Sequence, residues 1–204
     1  MINQERALKQ FHAIEKLASN LRLAADGWDE DWKTLIATLM SARTTDRKTI
    51  PVAEELFRNY KTIKELADAR LEDIEGLVMG VNFYKTKARN IVNLATILVR
   101  EYSGNVPRDF DLLVELPGVG RKTANVFLAE KGDSRIGVDT HVNWISKKMD
   151  WTKSDKQEVV ERDLENLFPK ELWGRLNWVL VRFGQTYKSR AKKEELLKKI
   201  RNIM

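Results

Sequence analysis

Leu116-Pro117-Gly118-Val119-Gly120-Arg121-Lys122-Thr123-Ala124 is the stretch on which the fold turns. A helix reads up to Leu116, Pro117 stops it, and Gly118 and Gly120 bracket a tight reversal before a second helix begins. Glycine is wanted where backbone takes positive φ or must approach another surface closely. Amides at the start of the second helix point outward at its positive end, so the turn suits an anion such as a duplex phosphate. That contact would be blind to base sequence. An ordinary turn between two helices is the plainer reading. A lone Gly-x-Gly would not exceed it, but the whole nine-residue string does.

Outward from this hairpin the pattern stays helical. Leu8, Phe11, Ile14, Ala18 and Leu21 recur at helical spacing, as do Trp32, Leu35, Ile36 and Leu39. Pro51 suits a first helical position and opens Val52–Tyr60. Tyr84–Tyr102 carries Ala88, Ile91, Val92, Leu94, Ala95 and Leu98 on one face. Asp109–Glu115, Lys122–Glu130, Asp139–Lys148, Asp155–Phe168 and Lys170–Gln185 follow, and Ser154 with Gln157 resembles a capping box. Trp28, Trp32, Trp144, Trp151, Trp173 and Trp178 read as core at apolar helical positions. Period-2 alternation is nearly absent. The expectation is an all-α chain of about ten helices.

Composition narrows the chemistry. The 204 residues contain no cysteine and two histidines, His12 and His141. Disulfides, thiolate nucleophiles and cysteine-held metals are excluded, and little remains for a histidine metal site, so no metal is expected. No run approaches the ~20 apolar residues of a membrane span, and the N-terminus has no signal-peptide core, which points to a cytoplasmic protein with no membrane partner. Thirty-six Lys and Arg against 30 Asp and Glu give a formal charge of +6, which permits a polyanionic partner. Between Lys188 and Met204 stand seven cations and two glutamates. A solvated face on a terminal amphipathic helix, with Leu196, Leu197 and Ile200 inward, explains that run, and phosphate contacts are compatible with it.

Gly137-Val-Asp-Thr-His-Val142 lies downstream of the hairpin. Asp139 alone reads as a helix N-cap worth ~1 kcal/mol, and Lys122 alone as a surface lysine. Following a phosphate-gripping hairpin, the two together suggest an amine and a carboxylate serving one cleft.

LPGVGRKTANVFL (116–128) followed by GVDTHV (137–142) resembles the endonuclease III branch of the helix-hairpin-helix DNA glycosylases. The likeness runs through TLIATLMSARTTD (34–46), FYKTKARNI (83–91) and GNVPRDFDLLVELPG (104–118), covering roughly residues 30–185. It implies two helical domains flanking a DNA-binding cleft: a six-helix domain over 25–135, and a second from 1–24 with 136–204. It implies base-excision repair by a bifunctional glycosylase and AP lyase, with oxidised pyrimidines as lesions. The partner is then double-stranded DNA with damaged or abasic sites, engaged near the nucleoid by a monomer. Lys122 is the implied nucleophile and Asp139 the essential carboxylate. A free lysine, pKa ~10.4, is neutral in only about one molecule in 10³ at pH 7, so the site must take the proton away.

The resemblance also implies contacts at Gly118, Val119, Gly120, Arg121 and Thr123 in the hairpin. Arg43 stands where the family usually has a glutamine that helps fill the gap left by a flipped nucleotide. Asn82 and Phe83 occupy the wedge turn, where core packing is the rival role for Phe83. Asp46 matches a family carboxylate, with an N-cap role competing. His141 is a possible accessory base that local hydrogen bonding explains as well. Many members carry a four-cysteine iron–sulfur cluster after the stretch matching Phe183–Tyr187; without cysteine no such cofactor is expected here, and the basic helix takes its place. Two rivals stand beside this reading. One is a uracil or thymine mismatch glycosylase of the same fold, against which Lys122 counts. The other is a non-catalytic helix-hairpin-helix DNA-binding module, which needs neither the Lys122–Asp139 pair nor most of this length.

Overall fold

The computed structural model describes residues 2–203. They are all-α: twelve α-helices and one 3₁₀ turn, with no strand among the described residues. The chain divides into two compact units, one of residues 22–130 and one of 1–21 with 131–204. The expected domain boundaries lay three to five residues from these.

The 22–130 unit holds seven helices, not six: α2 (Asp31–Ser41), α3 (Asp46–Asn59), α4 (Ile63–Ala67), α5 (Leu71–Val78), α6 (Tyr84–Glu101), α7 (Phe110–Glu115) and α8 (Arg121–Glu130). Helix α7 matches the expected Asp109–Glu115, whereas α4, at five residues, is too short for periodicity to reveal. Helix α2 is buried almost all round, with Trp32 and every residue from Thr34 to Met40 inside, and so forms the centre of the unit. Helix α6 lays Ala88, Ile91, Leu94, Ala95 and Leu98 against the same core, and Ala124, Phe127 and Leu128 of α8 join it. Pro51 does not open a helix. It lies inside α3, whose first turn begins at Asp46 with Thr45 as N-cap. Five residues into the helix, its missing N–H removes one bond from the ladder.

The other unit is built from both chain ends: α1 (Gln4–Leu17), α9 (Thr140–Lys148), α10 (Gln157–Leu167), a 3₁₀ turn (Lys170–Leu172), α11 (Trp173–Thr186) and α12 (Arg190–Arg201). Phe11 and Ile14 of α1 are fully buried with Val142, Ile145, Leu164, Leu180, Phe183, Leu197 and Ile200. Polar bonds stitch the termini together. The fully buried Gln10 accepts from Trp151 Nε1 (2.8 Å) and donates to the Arg201 carbonyl (3.2 Å). Arg6 donates to the carbonyls of Ile203 (3.0 Å) and Arg201 (2.6 Å). The Arg201 carbonyl is one of the orphan acceptors at the end of α12, which need donors.

Several local expectations fail for nearby competitors. The segment 154–157 forms no capping box, because Ser154 Oγ accepts from Lys156 N and the cap of α10 is Lys156 itself. The capping box in the chain is at Thr62 and Glu65. The run 170–185 splits into the 3₁₀ turn and α11. Trp28 and Trp151 lie outside helices, though Trp151 is core as expected.

Candidate active site and DNA interface

The hairpin is built from a capped helix, a turn and a second helix. Asp109 caps α7, its Oδ1 accepting from Asp111 N (2.9 Å) and Leu112 N (3.0 Å). After Glu115 the chain extends at Leu116, and Val119 N–H returns to the Leu116 carbonyl (3.0 Å) to close the turn. Gly118 has φ +77°, and a Cβ there would lie 2.6 Å from Asn90 Nδ2 and 2.9 Å from Leu39 Cδ1. Glycine is required twice over. Gly120 has no positive φ, and a Cβ there would meet nothing within 4 Å. Neither backbone conformation nor a neighbour among the described residues requires glycine at 120.

Val119 (4% exposed) and Thr123 (5%) bury their side chains, so only their main chain is available to a ligand. The first amide of α8 to bond back into the turn is Ala124, to Gly120 O (3.0 Å). The amides before it therefore belong to the helix's positive end. Arg121 lies over the Phe110 ring, 5.0 Å from its centroid. Lys122, the second residue of α8, is half-buried.

Asp139, in the other unit, is the N-cap of α9, with Oδ1 accepting from Val142 N at 2.8 Å. The capping role and a chemical role are compatible, since the cap uses one oxygen. His141 follows in the first turn, its ring against Gly184 of α11, where a Cβ would collide with the imidazole. Packing accounts for its place. Asp46 is buried, but it is the first residue of α3 and not its cap.

The structure gathers Arg43, Asn82 and Phe83 into one cluster, formed by the turn after α2 and the turn before α6. Both Arg43 (φ +56°) and Phe83 (φ +58°) are left-handed without being glycine. Such backbone costs about 1 kcal/mol or more and persists only where the surroundings hold it. The Arg43 guanidinium lies 4.9 Å from the Phe83 ring centroid, and Phe83 is 58% exposed, which removes core packing as its role. Asn82 ties the turns together: Nδ2 donates to Arg43 O (2.6 Å) and its N–H to Thr44 Oγ1 (3.1 Å).

Sequence reasoning missed Lys87. This α6 residue is 6% exposed, and its Nζ donates to Met40 O (2.6 Å), Ala42 O (2.7 Å) and Thr44 Oγ1 (3.0 Å). Burial lowers its pKa from the usual lysine value to about 8. A signal existed: position 87 falls on the apolar face with Ile91, Leu94 and Leu98, where a lysine needs an explanation.

The segment after Tyr187 is α12, docked through Leu197 and Ile200. With no cysteine anywhere, its side chains do not fit an iron–sulfur cluster. Among the described residues no three His, Asp or Glu side chains stand as metal ligands would, and no helix is long and apolar enough to cross a membrane. Several cations of the basic run are held in ion pairs. Arg190 pairs with Glu194, Lys192 and Lys199 with Glu195, and Arg201 with Asp150.

Two helices joined through a glycine hairpin, carried on an all-α body of two units, define a helix-hairpin-helix protein. Residues 36–170 match the HhH-GPD superfamily of base excision DNA repair proteins, and the chain belongs to that family. It is similar to endonuclease III of Thermotoga maritima, 41% identical over 84% of this chain and 83% of that protein. Endonuclease III of Bacillus subtilis is 37% identical over 76% and 71%. A solved endonuclease III–DNA trapped covalent intermediate, an estranged-adenine complex, superposes with a TM-score of 0.85 at 33% identity, covering 93% of this chain and 90% of that one. A thermostable thymine-DNA glycosylase at 17% identity (TM-score 0.77) shares the fold.

Proposed function

We propose that this chain is a base-excision DNA glycosylase with AP lyase activity, acting as a monomer on oxidised pyrimidines in chromosomal DNA and working without an iron–sulfur cluster. One observation carries the reading: a half-buried lysine on the first turn of the helix that follows the glycine hairpin, in a chain of this family. The hairpin amides hold a backbone phosphate, which sets register without reading sequence. The target nucleotide leaves the stack, because its glycosidic bond is unreachable inside the duplex.

Lys122, once neutral, attacks C1′. The C1′–N bond breaks, and the base departs with the electron pair and takes up a proton. Opening of the sugar gives a Schiff base between Nζ and C1′. Loss of a C2′ proton then expels the 3′ phosphate and cuts the strand. Asp139 takes the lysine proton, passes it to the departing base and, as the carboxylate again, offsets positive charge developing at C1′. Arg43 and Phe83 enter the duplex and fill the gap left by the extruded nucleotide.

Borohydride reduction on abasic DNA tests the assignment. The native chain should form a stable cross-link. Lys122→Ala should lose at least about 10³-fold in both trapping and base release while binding abasic duplex normally, as for a group acting in the chemical step. Full trapping by Lys122→Ala would refute the nucleophile. Binding of all duplexes without turnover by the native chain would leave a DNA-binding module instead.

A further inference from the structure

The buried lysine on α6 has no part in the chemistry above, yet it is placed with more hydrogen bonds than any residue that does. An ammonium has three N–H donors, and Lys87 directs all three at separate acceptors. Two are the carbonyls of Met40 and Ala42 at the end of α2, where main-chain oxygens lack helical partners and the helix dipole is negative. The third is the hydroxyl of Thr44, which also accepts from Asn82 N (3.1 Å). Acceptors therefore flank Arg43 on both sides. Asn82 Nδ2 holds the Arg43 carbonyl itself at 2.6 Å.

Lys87 connects through its own helix as well. Its N–H bonds to the Phe83 carbonyl (3.0 Å), so one residue is bonded to both turns of the cluster. Arg43 and Phe83 each keep a strained left-handed backbone, and strain of that kind relaxes unless neighbouring bonds oppose it. A salt bridge would be a poorer device here, because a carboxylate would compete for the cation.

We propose that Lys87 is a positioning residue for the groups that enter the duplex. Its ammonium locks residues 40–44 to α6, so that Arg43 over Phe83 acts as one preformed wedge and not as two mobile side chains. This rests on the reading of Arg43 and Phe83 as duplex-entering groups. The gain is entropic: a wedge already ordered loses less freedom when it replaces a nucleotide.

The test is a cycle of Lys87→Met, Arg43→Ala and the double variant. It is read as single-turnover base release from a duplex carrying one thymine glycol, with a melting curve for each protein. Lys87→Met should slow release about 30-fold in the native background and less than about 3-fold once Arg43 is gone, as for residues acting as a unit. Equal losses in both backgrounds, or no loss, would overturn the proposal. If Lys87→Met fails to fold, the same cycle is run with Thr44→Val, which keeps shape on a half-buried residue and removes the shared oxygen. About tenfold is then expected, again collapsing with Arg43→Ala.

A second readout needs no bond cleavage. Fluorescence of 2-aminopurine opposite an abasic-site analogue should rise on binding the native chain, and rise less with Lys87→Met and with Arg43→Ala. An undiminished rise with Lys87→Met would overturn the proposal. A native chain that brightens the probe but neither releases base nor cross-links would refute the glycosylase–lyase reading and leave the positioning role intact.

Discussion

Two exposed turns of the 22–130 unit, the hairpin at 116–120 and the turn at 41–45, are held by opposite means. The hairpin at 116–120 is fixed from below by apolar packing and backbone. Leu116 and Val119 are in the core, the turn closes on a main-chain hydrogen bond, and Gly118 supplies the positive φ that no side chain would tolerate there. The turn at 41–45 has no glycine. Its left-handed residue is Arg43, and polar bonds hold it: Lys87 and Asn82 reach in from elsewhere and share the turn's own Thr44 hydroxyl. A turn that only presents amides can be made of inert parts. A turn that must present a cationic side chain cannot use glycine at that position, so the strain stays and other residues offset it.

The contrast predicts different failures. In the hairpin, Gly118→Ala places a methyl against Asn90 and Leu39 in a backbone region hostile to alanine, and should cost about 2–4 kcal/mol by chemical denaturation. Gly120→Ala, two residues on, meets open space and should leave stability within about 0.5 kcal/mol. It should instead weaken binding to every duplex sequence by about tenfold, because a methyl would intervene between backbone and phosphate. A sequence-selective loss, or a stable Gly118→Ala, would break the distinction.

How much of this was legible beforehand follows the same line. The hairpin could be read because its requirements are local: proline, two glycines and a following helix lie within nine residues. The helices α2, α6 and α8 could be read because their apolar periods are long. Pro51 misled because α3 begins one turn earlier, at Asp46, where Asp46 and Thr49 are buried ahead of the proline. The partners of Arg43 were illegible, because they lie about 40 residues away in sequence and meet only when α6 folds back beside α2. For Phe83 the sequence left a duplex contact and core packing as rivals; the left-handed turn that leaves its ring exposed removes the second.

The lysine that anchors the 41–45 turn should give it a pH dependence the hairpin lacks. Below pH 8 the ammonium serves three acceptors; above it a neutral amine has two donors for them, and none of the three acceptors titrates. Between pH 7 and 9 the Arg43-dependent part of base release should therefore fall by about tenfold, the change in protonated fraction for a pKa near 8. It is measured as the ratio of native to Arg43→Ala rates, which cancels titration of the nucleophile. Stability should move the other way. The unfolded chain keeps this proton up to its ordinary lysine value, so between pH 8 and about 10.5 it binds more protons than the folded one, and Lys87's contribution to stability rises with pH. A flat rate ratio across that range would show that the turn does not depend on the charge.

The smallest effect distinguishes the two turns most directly. If strain at position 43 is retained for the sake of its side chain, removing that side chain should relieve it. Arg43→Gly frees the φ of +56° from its Cβ penalty and should stabilise the protein by up to about 1 kcal/mol, less whatever the guanidinium gains over the Phe83 ring. Base release should fall in the same variant, so stability and activity part company. The same experiment cannot be run on the hairpin, where the strained position is already glycine. A variant that loses stability along with activity would mean that Arg43 holds the turn together and that Lys87 and Asn82 merely follow it.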